Sequence, residues 1–207
     1  MSITTRDDRP PPAPGGRLAR LRGAPATTGL LVALALAFVA SARDPALFER
    51  FAKVSGRVRA GEYWRLVTAS FLHGGLLHIA VNGYALTMIG PTVERLYGAA
   101  RFLLIFVVGG AAGFAASTVF VQQPSVGASA GLFALLGVLL GFAVRARRTL
   151  PRPARRAMIQ EILTVAALNI ALGLMAPFID NAAHLGGFAG GLALGIVLRP
   201  RRPARTP

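Results

Sequence analysis

The chain has 207 residues, of which 54% are hydrophobic and 15% charged, and it carries a formal net charge of +15. So little polar surface excludes a single soluble globule, the absence of cysteine excludes a disulfide framework and the commonest zinc sites, and three histidines without HExxH spacing argue against any metal or other cofactor. The arginines flank apolar runs and do not interleave with aromatics in one polar domain, so the charge points to a lipid bilayer and away from nucleic acid.

Residues 1–25, with "RPPPAPGG" and scattered arginines, are too poor in clustered apolar residues to fold and are expected to form a disordered tail. Apolar runs then fall near 27–42, 76–92, 102–121, 128–144, 157–178 and 181–198, against the roughly 20 residues that a spanning helix needs. They predict an all-α, polytopic membrane protein with six transmembrane helices, the first and fourth of them short. Residues 26–200 form the membrane domain, with no room for a second folded domain, and 201–207 form a basic C-terminal tail.

Arginine and lysine crowd cytoplasmic loops. The N-terminal tail carries five, the loop after the second span two, the loop after the fourth six and the C-terminus four. The opposite side carries six, all between Arg43 and Arg65. Both termini are therefore expected in the cytoplasm, with the protein a multi-pass component of the cell (inner) membrane. The basic start, apolar stretch and Ala40–Ser41–Ala42 also resemble a signal peptide; its removal would leave the orientation of the other five spans unchanged.

In that topology spans two, four and six start at the outer face and run inward. His78 and Asn82 share one face near the start of span two, Ser129 lies in the first turns of span four, and His184 lies in the first turns of span six. Polar side chains inside a membrane are costly and usually face a cavity or one another, so a common depth for these four marks a candidate functional site.

The types suit acyl transfer. A serine hydroxyl is a weak nucleophile until a base takes its proton, and His184 is the candidate base for Ser129. The start of span four, the Asn82 amide and a His78 ring nitrogen could stabilise an oxyanion. Gly127 would let the backbone approach Ser129, and Gly131 would thin span four where it faces span six.

Each residue also has an ordinary packing explanation. Serine in a membrane helix commonly bonds the carbonyl four residues back, and Gly127/Gly131, Gly137/Gly141 and Gly187/Gly191/Gly195 are small-xxx-small packing runs. His184 could be a packing histidine, and His78 with Asn82 a helix-end hydrogen-bonded pair. Glu94 beside Arg95 suits a packing and topology role, His73 a loop-structuring one. Asp180 could orient His184, but an aspartate just ahead of a helix more often caps it. A small transporter would need deep charges and repeat symmetry, and no such repeat is visible.

At these residues the chain resembles the rhomboid family of intramembrane serine proteases. "GASA" followed by Gly131 stands where that family has GxSG, so Ala130 replaces its glycine. AHxxGxxxG is present as Ala183, His184, Gly187 and Gly191, HxxxxHxxxN as His73, His78 and Asn82, "EYWR" as Glu62 to Arg65, and GxxxE as Gly90 and Glu94. The resemblance implies a Ser129–His184 dyad without an obligatory carboxylate. It implies an oxyanion hole from His78, Asn82 and the Ser129 amide, and Phe133 against the imidazole. It further implies a lateral loop organised by Glu62, Trp64 and Arg65, and a Met175 to Ile179 cap over the site. The implied function is an endopeptidase that cleaves transmembrane proteins within or near their membrane segments. The alternative is a catalytically inactive rhomboid-like protein that binds client transmembrane helices.

Overall fold

The computed structural model describes residues 21–176 and 178–201; of the tails expected at 1–25 and 201–207, residues 1–20 and 202–207 lie outside the described residues, and Pro25 already belongs to the first helix. Helix α1 is Pro25–Arg43, followed by the short helices α2 (Pro45–Phe51), α3 (Ser55–Arg59) and α4 (Arg65–Thr68). The long helices α5 (Leu76–Tyr97), α6 (Ala99–Phe120), α7 (Ser129–Arg145), α8 (Arg152–Met175) and α9 (Asn181–Val197) complete the fold. The described residues contain one isolated antiparallel bridge, Lys53 with Ser125. The chain has an all-α, polytopic membrane fold.

Helix boundaries follow local chemistry. Proline near the first turn opens α1, α2 and α8, where its fixed φ suits the helix and its missing N–H is no loss. Asp44 caps α2 by accepting from the Ala46 amide at 3.0 Å. Helix α5 runs through Pro91 to Tyr97, beyond the expected end at 92. Helix α8 begins earlier than expected and stops at Met175, just before Pro177 biases the chain out of helix.

Among the described residues four helices are long and apolar enough to cross a membrane: α1, α5, α6 and α8. Helices α7 and α9 have 17 residues each, so each rises about 25 Å and falls short of a hydrocarbon core about 30 Å thick. The sequence singled out the first and fourth spans as short; the short pair is the fourth and sixth. Both are central. Helix α7 is buried around most of its circumference, between α6 and α9.

Contact between α7 and α9 is backbone to backbone. A Cβ on Gly187, Gly191 or Gly195 would strike the carbonyl of Ala130, Ala134 or Val138 respectively. Gly131, expected to thin α7 toward α9, instead faces α6: a Cβ there would lie 2.6 Å from the Phe106 ring. The residue of α7 that meets α9 at this level is Ala130.

Glu94 joins the far end of α5 to the start of α1. Its carboxylate accepts from the amides of Ala26 and Thr27 at 2.8 and 2.7 Å and from the Thr27 hydroxyl at 2.7 Å. Those amides belong to the unpaired first turn of a helix, where a carboxylate also meets the positive end of the dipole. Gly90 makes room, since a Cβ there would lie 2.7 Å from Thr27 Cγ2.

Candidate active site

The segment between α1 and α5 folds around Arg65, which is 1% exposed. Its Nε donates to Glu62 at 2.6 Å, and one terminal nitrogen donates to the carbonyls of Glu49 and Ala52 at 2.8 and 2.7 Å. Glu62 and Arg65 thus tie this loop together. The Trp64 side chain does not: it is 51% exposed, and Trp64 contributes its carbonyl, which accepts from the Thr68 amide and hydroxyl.

This loop supports the chain entering α7. Lys53 and Ser125 exchange both backbone hydrogen bonds at 3.0 Å, and the Gly127 amide donates to the Ala69 carbonyl at 2.9 Å. The Ala128 amide faces His73 Nε2 at 3.4 Å, so His73 ties this loop to the entry of α7. His73 is buried, and burial followed by the neighbouring His78 lowers its pKa to about 4. Its ring therefore stays neutral and can accept.

Gly127 has φ +128°, a conformation that L side chains rarely adopt. A Cβ at this position would lie 2.7 Å from His78 Nε2 and 3.7 Å from Ser129 Oγ, so both groups crowd one small volume above its Cα. Helix α7 then starts at Ser129 with no side-chain cap, leaving its first-turn amides as donors beside the hydroxyl.

Ser129 Oγ and His184 Nε2 are 2.9 Å apart. The Phe133 ring, one turn after Ser129, stacks on the imidazole with centroids 4.3 Å apart and planes 8° from parallel. Such stacking fixes ring orientation. Gly187, one turn after His184, permits this approach because its missing side chain lies against the Ala130 carbonyl.

Asp180 does not orient His184 directly. One carboxylate oxygen caps α9 by accepting from the Ala183 amide at 2.9 Å, and the other accepts from the Ser117 hydroxyl. His184 Nδ1 is buried without a hydrogen-bond partner among the described residues. The pair is a serine and a histidine, with no carboxylate bonded to the ring among the described residues.

His78 and Asn82 are less directly engaged. The Gly74 amide approaches His78 Nδ1 at 3.4 Å, which puts the ring proton on Nε2, the nitrogen facing the space over Gly127. The Asn82 amide donates to the His78 carbonyl at 2.8 Å, so one of its two N–H groups is committed to its own helix. Met175 and Phe178, expected to cap the site, stand at the surface with 84% and 88% exposure. No group of three or more potential metal ligands occurs among the described residues.

Sequence reasoning missed Ser117 as the second partner of Asp180, and Lys53 and Ser55 as partners of the loop before α7. A faint signal existed for one of them: Lys53 is the sole lysine of the chain.

Fold and site together define a helical integral membrane protein with a serine–histidine pair at the start of a short central helix. A family model described as Rhomboid domain matches residues 60–201. The chain is 41% identical over 140 residues to rhomboid protease GluP of Bacillus subtilis (strain 168), covering 68% of this chain and 27% of that protein. It is 40% identical over 144 residues to RHOMBOID-like protein 2 of Arabidopsis thaliana, covering 67% and 43%, and 38% identical over 144 residues to RHOMBOID-like protein 5 of the same plant, covering 68% and 46%. The chain belongs to the rhomboid family, and it spans less than half the length of each of these relatives.

Proposed function

We propose that this protein is an intramembrane serine endopeptidase that cleaves transmembrane proteins within or near their membrane segments, with Ser129 as nucleophile and His184 as its base. The observation that carries the reading is the 2.9 Å contact between Ser129 Oγ and His184 Nε2 under the stacked Phe133 ring. His184 Nε2 takes the hydroxyl proton as Oγ attacks the scissile carbonyl, and the imidazolium then gives that proton to the departing amine. Water, activated by the same nitrogen, hydrolyses the acyl-enzyme.

Negative charge develops on the former carbonyl oxygen above Gly127. Donors for it are the Ser129 amide at the uncapped start of α7, His78 Nε2–H and the second N–H of Asn82. Because Asp180 is engaged by Ala183 and Ser117, ring orientation comes from Phe133, so the unit is a dyad. Residues 26–200 act as one membrane domain in the cell membrane, both termini cytoplasmic, as the arginine distribution favours.

The test is hydrolysis of a generic transmembrane reporter by the purified protein, with Ser129→Ala as control. Cleavage by the wild type and none by the folded variant is the expected result. A wild-type protein that binds the reporter without hydrolysing it would instead favour the inactive, client-binding alternative.

A further inference from the structure

Lys53 is fully buried, with no exposed surface, and lies far from the bilayer surface role that its charge suggests in the sequence. Its ammonium donates to the carbonyls of Val121 at 2.9 Å and Gln123 at 3.3 Å. Its backbone N–H and C=O pair with Ser125. One residue therefore grips positions 121, 123 and 125, every second residue of the stretch that runs from the end of α6 to Ser129. The Ser55 hydroxyl adds a second donor to the Val121 carbonyl at 2.5 Å, and Arg59 donates to the Thr118 carbonyl at 2.6 Å.

These carbonyls close the C-terminus of α6, the end that a cation stabilises. The same helix end holds the base side of the site, since Ser117 donates to Asp180, the cap of the helix that carries His184. The last turn of α6 is thus tied to α9 by Ser117 and to the nucleophile segment by Lys53.

We propose that Lys53 is a positioning residue for the nucleophile: by fixing Val121, Gln123 and Ser125 relative to the α6 terminus, it sets the placement of Ser129 against His184. The inference rests on Ser129 being the nucleophile. A displacement of about 1 Å in such a pair costs on the order of a hundredfold in rate. Loss of the ammonium frees the Gln123 carbonyl, leaves Val121 held by the Ser55 hydroxyl alone and keeps the backbone bridge intact, so Ser129 shifts without the fold coming apart.

The experiment uses the full chain in detergent or bilayer and measures three quantities: kcat and KM on a transmembrane reporter, the rate of Ser129 labelling by a fluorophosphonate, and Tm. In Lys53→Met both kcat and the labelling rate should fall by about tenfold to a hundredfold while KM stays within about twofold. Lys53→Gln, which keeps a shorter, uncharged amide donor, should lie between Lys53→Met and wild type. Thr27→Val removes a hydrogen bond to Glu94 far from Ser129; it should lower Tm and leave the labelling rate unchanged.

A labelling rate in Lys53→Met within about twofold of wild type would overturn the proposal. So would an equal loss of labelling in Thr27→Val at matched Tm, which would make the effect one of stability alone. If Lys53→Met fails to fold, Lys53→Gln and Ser55→Ala decide by the same comparison. Failure of the protease reading is separate: it would appear as a folded wild-type protein that neither hydrolyses the reporter nor labels, or as cleavage that survives in Ser129→Ala, whatever Lys53 does.

Discussion

Gly127→Ala attacks the site through a single methyl group. Two costs follow from its position. Alanine at φ +128° is strained by about 1–3 kcal/mol, and that part lowers Tm whatever the surroundings. The methyl would also lie 2.7 and 2.8 Å from His78 Nε2 and Cε1, so the ring must move away from the space beside Ser129. If His78 Nε2–H is an oxyanion donor, its displacement should reduce kcat by about a hundredfold to a thousandfold. A double-mutant cycle separates the costs: with His78→Ala the ring is gone, and adding Gly127→Ala should then lower Tm but reduce turnover little further. The assay is steady-state cleavage of a transmembrane reporter by the four proteins, with thermal melts alongside. Strictly additive losses of kcat would refute the reasoning, because they would mean that the methyl and the ring do not share one space.

Asp180→Asn should keep most turnover, since asparagine caps a helix comparably and can still bond Ser117; a loss of several orders of magnitude in kcat would indicate a carboxylate-assisted triad. Ala130→Gly, which restores the glycine that the resemblance calls for, should leave kcat unchanged or slightly raised but lower Tm. The Ala130 methyl is fully buried against Ala69, Phe114 and Ala183, and its loss together with a looser helix start costs about 1 kcal/mol. His73 binds its proton less readily in the fold, with a pKa of about 4, than in the unfolded chain at 6.5. Its contribution to stability is therefore full above pH 6.5 and falls as pH drops toward 4, and melts across that range should show a weaker acid dependence in His73→Gln.

All six long helices were legible from hydropathy, because a bilayer demands long apolar runs and the chain supplies six. Their ends were less so: Pro91 did not stop α5, and α8 gained a turn of arginines that hydropathy counts against a helix. The short helices α2 to α4 carry no periodic signal, and they fold around Arg65, whose partners Glu49 and Ala52 give up only backbone carbonyls. Of the site, the common depth of Ser129 and His184 was legible from their places at the starts of two spans, whereas the Phe133 ring against His184 was legible only through the family resemblance. Gly131 was assigned the wrong neighbour, since a glycine in an apolar helix shows where close approach occurs but not with which helix. Lys53 was hidden for a similar reason. Set among Arg43, Arg50, Arg57 and Arg59, it counted as one more charge at the membrane face, and only the fold shows it turned inward onto the end of α6.

The central claim is that Ser129, activated by His184, is the nucleophile, and covalent trapping tests it most directly. The wild-type protein, treated with a fluorophosphonate in a bilayer and mapped by mass spectrometry, should carry one adduct, on Ser129, and reporter cleavage should decline in step with its occupancy. His184→Ala should stay folded and label negligibly. An adduct at another residue, or cleavage that persists when Ser129 is fully modified, would contradict the account.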